Sequence, residues 1–87
     1  MQFEFYSKFS SIVYHARIDH GYTQKEVAEA ISVTVRWYQR VEKGEKFPGA
    51  VALLRLLLFL HIDIEELREE VGLVVPVHTV PRKALFR

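Results

Sequence analysis

The sequence predicts an all-α domain of five helices with short extended arms at its N- and C-terminal ends. Between residues 7 and 72, apolar residues recur at helical spacing, and capping residues and glycines delimit the segments. Both ends instead carry alternating or β-branched apolar residues, which are typical of extended backbone. The predicted division is an N-terminal arm at residues 1–6, a helical domain at residues 7–72 and a C-terminal arm or tail at residues 73–87.

Length and composition limit the class of protein. The chain has 87 residues and 49% hydrophobic content, which suits one small domain with a packed core. It has no cysteine, so disulfides and thiolate metal sites are excluded. Its apolar run at residues 51–60 contains Arg55 and is shorter than the roughly 18 residues of a membrane span. Residues 1–6 lack the basic and apolar regions of a secretory signal. We therefore expect a cytoplasmic protein that does not enter a membrane.

The N-terminal part is predicted to be a short strand followed by the first helix. In residues 1–6, Phe3 and Phe5 alternate with polar neighbours, as in a strand. Helix 1 is expected at about residues 7–20 and is ended by Gly21. The residues on its inner face are Phe9, Val13 and Ala16.

Two short helices follow, at about residues 24–31 and 35–42. Thr23, with Glu26 three residues later, forms a capping-box pattern at the start of the first helix, and Thr34 caps the second. Two short helices joined by a turn of three or four residues form a helix-turn-helix, whose second helix can lie in the major groove of DNA.

The second half of the chain is unusually apolar. Helix 4, at about residues 49–61, has apolar residues on all sides and must be covered on every side. Asp63 begins a capping-box pattern for helix 5, which Gly72 ends. Residues 73–80 are β-branched but interrupted by Pro76, so they are predicted to be an edge strand or an extended arm.

The segment from residue 9 to residue 67 carries many small matches to one known family. They are Thr23-Gln24 at the start of the first motif helix, Ala28 between the helices, Val33-Thr34 in the turn, Tyr38 and Val41 facing inward, Glu42-Lys43-Gly44 at the end, and Pro48 in the next loop. With these features the segment resembles the lambda-repressor-like helix-turn-helix domains of the XRE family. The resemblance implies a five-helix DNA-binding domain of a transcriptional regulator, with double-stranded DNA as partner and without a cofactor. Ser32 and His61 stand where the family often has glycine.

The resemblance and the chemistry of the side chains together predict a DNA-reading surface on the second motif helix. We expect Val35, Arg36 and Arg40 to contact bases, because arginine can bind guanine O6 and N7 and valine can contact the thymine methyl. A second set is expected to hold the DNA backbone and set the register: Gln24, Thr34, Trp37, Lys43 and Lys46. The formal net charge is only +1, so the prediction of DNA binding rests on the local cluster of basic residues and not on the total charge. The alternatives are a solvated face on which Arg36 or Arg40 pairs with Glu42 or Asp19, and a partly buried, structural Trp37.

The apolar arms and helix 4 predict a homodimer, since one helix reads only a few base pairs. The residues expected at the dimer interface or in arm packing are Phe3, Phe5, Val51, Leu54, Leu58, Val75 and Val77. Alternatively, both arms pair within one chain and cover helix 4.

A second functional hypothesis is a protein-interaction module or antitoxin-like partner protein with the same fold. An enzyme is not expected, because no nucleophile elbow, phosphate-binding glycine loop or metal-ligand cluster is present. The four histidines are predicted to be isolated, without a metal.

Overall fold

The computed structural model describes residues 2–68 and 71–72, and this part of the chain is entirely helical, without strands. Its elements are α1 (Gln2–His20), α2 (Gln24–Ala30), α3 (Val35–Glu42), α4 (Ala50–Phe59) and a 3-10 helix, Ile64–Leu67. The all-α prediction is therefore confirmed for the described residues. The fifth predicted helix is a single 3-10 turn, capped by a bond from the Glu65 amide to the Asp63 side chain. The predicted C-terminal arm, with Val75 and Val77, lies outside the described residues.

The prediction of an extended N-terminal arm is wrong for residues 2–6, which form the first turns of α1. The side chain of Phe5 lies on the same helical face as Phe9, and their rings stack with centroids 6.3 Å apart. Both rings also contact Phe47, in the loop after α3, at 5.2 and 4.8 Å. The alternation of Phe3 and Phe5 suggested a strand, because a local sequence pattern cannot show that Phe5 packs against Phe47.

The turn between α2 and α3 has the predicted capping chemistry. Thr23 Oγ1 accepts a hydrogen bond from the Glu26 amide, and the Glu26 carboxylate accepts one from the Thr23 amide. Thr34 Oγ1 accepts a hydrogen bond from the Trp37 amide and so caps α3. Ser32 lies in the left-handed region at φ +65°, as its position in the family pattern implied. The first turns of α2 and α3 are thus capped by local hydrogen bonds.

The core lies between the inner faces of α1, the α2–α3 unit and α4. The side chains that are fully or almost fully buried there are Phe9, Val13, Val27, Ala28, Ile31, Tyr38, Val41, Leu56 and Leu60. Tyr38 takes the inward position of α3, as predicted. Because residues from all three helical layers meet in one cluster, the orientation of α3 is set by the whole domain.

Helix α4 buries one side and leaves another uncovered by the described residues. Leu56 and Leu57 are buried, while Val51, Leu54 and Leu58 are 61%, 57% and 75% exposed. These three residues follow one another at helical spacing, so they form one apolar stripe, which we call the α4 stripe. The expectation that α4 must be covered on every side is therefore not met within the described part of the chain.

Candidate nucleic-acid interface

Helix α3 has a buried inner face and an exposed basic outer face. Tyr38 and Val41 have no exposed surface, whereas Arg36 and Arg40 are exposed. This difference follows from the 3.6-residue helical period, which places residues 38 and 41 on the side opposite residues 36 and 40. The two arginines predicted to read bases therefore lie on the side of α3 that is free of the core.

The inner face of α3 ends in a charged hydrogen-bond network around Glu42. The Glu42 carboxylate accepts bonds from Arg17 Nε at 2.5 Å and Arg17 Nη2 at 3.1 Å. It also accepts bonds from the Tyr38 hydroxyl and, at 2.9 Å, from Gln24 Nε2. The side chains of Arg17 and Glu42 are only 10% and 6% exposed. Since the donors come from α1, α2 and α3, this network, the Glu42 network, joins the motif helices to α1.

The network shifts the acid–base equilibria of its members. Burial opposes the charge of Glu42, but bonds from Arg17, Tyr38 and Gln24 outweigh it, so the pKa of Glu42 is lowered. The pKa of Tyr38 is raised, first by burial and then by its bond to Glu42. The bond to Glu42 also raises the pKa of Arg17. The pair is therefore charged and the phenol neutral in the folded protein at neutral pH.

Gln24, predicted to touch the DNA backbone, is bound inside this network. Its Nε2 donates to Glu42, and its Oε1 accepts a bond from Gln39 Nε2 at 3.1 Å. The carboxamide is half-buried in a shallow hollow that is also lined by Lys43. In this geometry the side chain of Gln24 holds α2 against α3.

The remaining predicted contact residues differ in how freely they face solvent. Arg36 is exposed, and Arg40 makes one long ion pair with Glu45 at 3.7 Å, with both side chains about half exposed. Val35 was predicted to face outward but is half-buried against the core, because it starts α3 beside the turn. The outer face of α3 therefore presents two exposed arginines to solvent, and only part of the surface of Val35.

Trp37 and Lys46 lie together at one side of α3. The indole ring is half-buried against the core, which agrees with the partly structural role considered for it. Lys46 Nζ lies 6.0 Å from the ring centroid, at the outer limit of a cation–π contact. Thr34 caps α3 through its hydroxyl, and Lys43 is exposed at its C-terminal end.

The sequence reasoning missed the role of Arg17 and the true partner of Glu42. Arg36 and Arg40 were considered as partners of Glu42, but its partner is Arg17. A signal was present, because Arg17 continues the spacing of Phe9 and Val13 along the apolar face of α1. A charged residue on an apolar face needs a buried partner, and Glu42 stands four residues after the buried Tyr38.

Two histidines predicted to be isolated are neighbours. The rings of His20 and His61 have centroids 5.5 Å apart, and His20 Nε2 donates to the Leu60 carbonyl at 2.9 Å. His61 lies two residues after the last residue of α4 and has a φ of +54°. Within residues 2–68 and 71–72, no group of three or more histidine or acidic side chains is arranged to hold a metal ion. In the same part of the chain, no helix combines the length and the apolar character that a bilayer crossing needs.

Comparison with known proteins identifies the motif. A family model described as a helix-turn-helix domain matches residues 15–71, which include α2, the turn, α3 and α4. No curated protein and no solved structure matches the chain. The matched region contains the exposed arginines of α3 and the Glu42 network, and a domain of this kind points to DNA binding. The chain belongs to the helix-turn-helix domain family.

Proposed function

We propose that the protein is a sequence-specific DNA-binding transcriptional regulator of the lambda-repressor-like, XRE type. In this proposal α3 enters the major groove, and Arg36 and Arg40 bind guanine edges. Val35 contributes an apolar contact to a thymine methyl with the part of its surface that remains free. The observation that carries the proposal is the two-sided character of α3: a locked inner face and an exposed pair of arginines on the outer face.

The energetics of the two arginines support base contact. Arg40 and Glu45 are half exposed and 3.7 Å apart, so exchanging this ion pair for a guanine costs little. Arg36 has no salt-bridge partner in the described part of the chain. A bidentate arginine–guanine contact contributes about 1–3 kcal/mol of discrimination. The exposed face of α3 can therefore exchange weak bonds for stronger, selective ones.

The backbone contacts fall to residues around the ends of α2 and α3. We propose that Lys43 and Lys46 bind phosphates, that Trp37 packs against a sugar, and that Thr34 adds a contact beside its cap. Gln24 has a different role in this proposal. Because its carboxamide is bound to Glu42 and Gln39, it sets the angle between α2 and α3 and touches DNA only through its backbone amide.

A homodimer completes the proposal, because a single helix reads too few base pairs for a specific site. The α4 stripe supports it, since three large apolar residues more than half exposed form a surface suited to burial against a second copy. Two copies of α3 would then meet half-sites about one helical turn apart. The same stripe favours the second candidate function, an interaction module or antitoxin-like protein whose stripe binds a different protein.

The test compares three alanine variants on a fixed operator and on its single-base variants. Arg36→Ala is expected to lose about 1–3 kcal/mol of discrimination at one base position and little elsewhere. Lys43→Ala is expected to weaken binding to every sequence equally and to reduce the salt slope by about one. Lys8→Ala removes the same charge from α1 and serves as the control. Equal losses of discrimination in the Arg36 and Lys43 variants would contradict the proposed roles.

A further inference from the structure

An apolar groove lies on a side of the domain that the DNA-binding proposal does not use. It encloses about 460 Å³ between the start of α1, the loop after α3, one face of α4 and the 3-10 helix. The apolar residues that line it before residue 68 are Phe5, Phe47, Leu53, Leu57, Ile64 and Leu67. The α4 stripe is a separate face of the helix, because none of its three residues lines the groove.

The polar residues at the edge of the groove satisfy each other. Arg68 Nε and Nη2 donate to the two carboxylate oxygens of Glu65 at 2.7 and 3.0 Å. Among the described residues that line the groove, Glu65 and Arg68 are the only charged ones, and this bidentate pair joins them to each other. Its walls are aliphatic and aromatic, so the groove favours an aliphatic occupant.

The last described residues of the chain, Val71 and Gly72, lie at this groove or directly beside it in sequence. Val71 is one of the lining residues, and its amide donates to the Leu67 carbonyl at 3.0 Å. Gly72 follows at φ +77°, the left-handed conformation with which a chain changes direction after a helical turn. The next five residues in the sequence are leucine, valine, valine, proline and valine. An aliphatic segment thus begins two residues after Val71, a residue of the groove wall.

We propose that residues 73–77 of the same chain occupy this groove. A segment joined to the wall through one glycine has a high effective concentration there, and any separate partner must compete with it. Pro76 restricts its own backbone and that of its neighbour, which lowers the entropy lost on docking. The segment covers the groove, and the α4 stripe remains free for a second copy.

The first test is an NMR measurement on the full chain with labelled methyl groups. Nuclear Overhauser contacts are expected between the methyls of Ile64 or Leu53 and those of residues 73–77. A sample mixing labelled and unlabelled chains separates contacts within a chain from contacts between chains. Contacts within one chain support the proposal. A native spectrum without these contacts, or with contacts only between chains, overturns it.

The second test compares two triple variants of the full chain. Leu73→Ser, Val75→Ser and Val77→Ser together are expected to increase binding of an apolar fluorescent dye and to lower the folding equilibrium constant by roughly tenfold or more. Ala84→Ser, Leu85→Ser and Phe86→Ser change three apolar residues of the same tail outside the proposed segment. They are expected to leave both quantities near the wild-type values. Equal effects of the two triples would overturn the proposal.

Discussion

At the scale of single residues, Glu42 is the most constrained side chain of the motif. One carboxylate accepts bonds from Arg17, Tyr38 and Gln24 while it is almost excluded from water. A buried ion pair is tolerated when all its hydrogen-bond partners are present. Removing one partner strongly destabilises the fold, because an unpaired charge is left in the core. In the part of the chain that the structure describes, no buried side-chain nitrogen or oxygen lacks a hydrogen-bond partner. The network therefore joins α3 to α1 and α2 through hydrogen bonds from Arg17 and Gln24.

The Tyr38 hydroxyl is expected to contribute measurably to this network. Tyr38→Phe keeps the buried ring and removes one donor to a charged acceptor, so the free energy of unfolding should fall by about 1.5–3 kcal/mol. Urea unfolding at neutral pH measures this change. Tyr14→Phe, at a tyrosine that is 44% exposed, is the control and should change stability by less than about 0.5 kcal/mol. Equal stabilities of the Tyr38 variant and the wild type would refute this role of the hydroxyl.

The lowered pKa of Glu42 predicts a specific dependence of stability on pH. A carboxyl whose pKa is lower in the folded than in the unfolded protein stabilises the fold above its ordinary pKa of 4.5. That contribution is lost as the pH falls below 4.5 through the lower folded-state pKa. Glu42→Gln should therefore cost about 3–5 kcal/mol at neutral pH, because it leaves Arg17 buried without its partner.

Unfolding experiments at several pH values test this prediction. The gap in stability between wild type and the Glu42 variant should shrink below pH 4.5, where the wild type loses the same charge. Glu65→Gln is the matched control. Its carboxylate also has a pKa lowered by Arg68, but its side chain is 59% exposed, so its removal should have little effect at any pH. A gap for Glu42 that stays constant with pH would rule out the proposed linkage.

At the scale of elements, the motif could be predicted from sequence because its determinants are local. The caps of Thr23 and Thr34 involve residues three positions away, and both are present as predicted. The start of α1 could not be predicted in this way, because Phe5 packs against Phe47, which is distant in sequence. The Arg17–Glu42 pair was missed for the same reason, although the spacing of Arg17 held a clue.

The turn between α2 and α3 contains a removable backbone strain. Ser32 has a φ of +65°, a conformation that glycine adopts without the steric cost of a side chain. Ser32→Gly is therefore expected to raise the free energy of unfolding by up to about 1 kcal/mol, measured by thermal unfolding. Ser11→Gly, at an exposed position inside α1, should instead lower stability by about 0.5 kcal/mol. If both substitutions changed the free energy of unfolding in the same direction, the proposed backbone strain at Ser32 would be contradicted.

At the scale of the whole molecule, the candidate surfaces have distinct locations. The outer face of α3 carries the basic residues, the α4 stripe is apolar, and the groove lies beside the point where the described chain ends. Val51, Leu54 and Leu58 were expected at an interface, but the helical pattern alone could not show that they lie on the exposed side of α4. Exposure depends on how α4 packs, and the even apolar character of residues 50–60 does not distinguish its buried from its exposed side.

The α4 stripe is expected to hold the proposed dimer together. Leu58→Glu places a charge at its most exposed residue, so it should shift the protein to a monomer without unfolding it. Sedimentation over a range of concentrations measures the shift, and circular dichroism checks the fold. Ile18→Glu, at an exposed isoleucine of α1, is the matched control and should leave the dimer intact. A dimer that persists in the Leu58 variant would place the interface elsewhere.

The most direct test of the central claim is a selection of random duplex DNA by the purified protein at two salt concentrations. The account predicts an enriched palindrome whose half-sites are centred about ten base pairs apart and are still selected at the higher salt. It also predicts that Arg36→Ala relaxes one base position in each half-site. Weak binding without an enriched sequence, lost as salt rises, would contradict a sequence-reading role for α3.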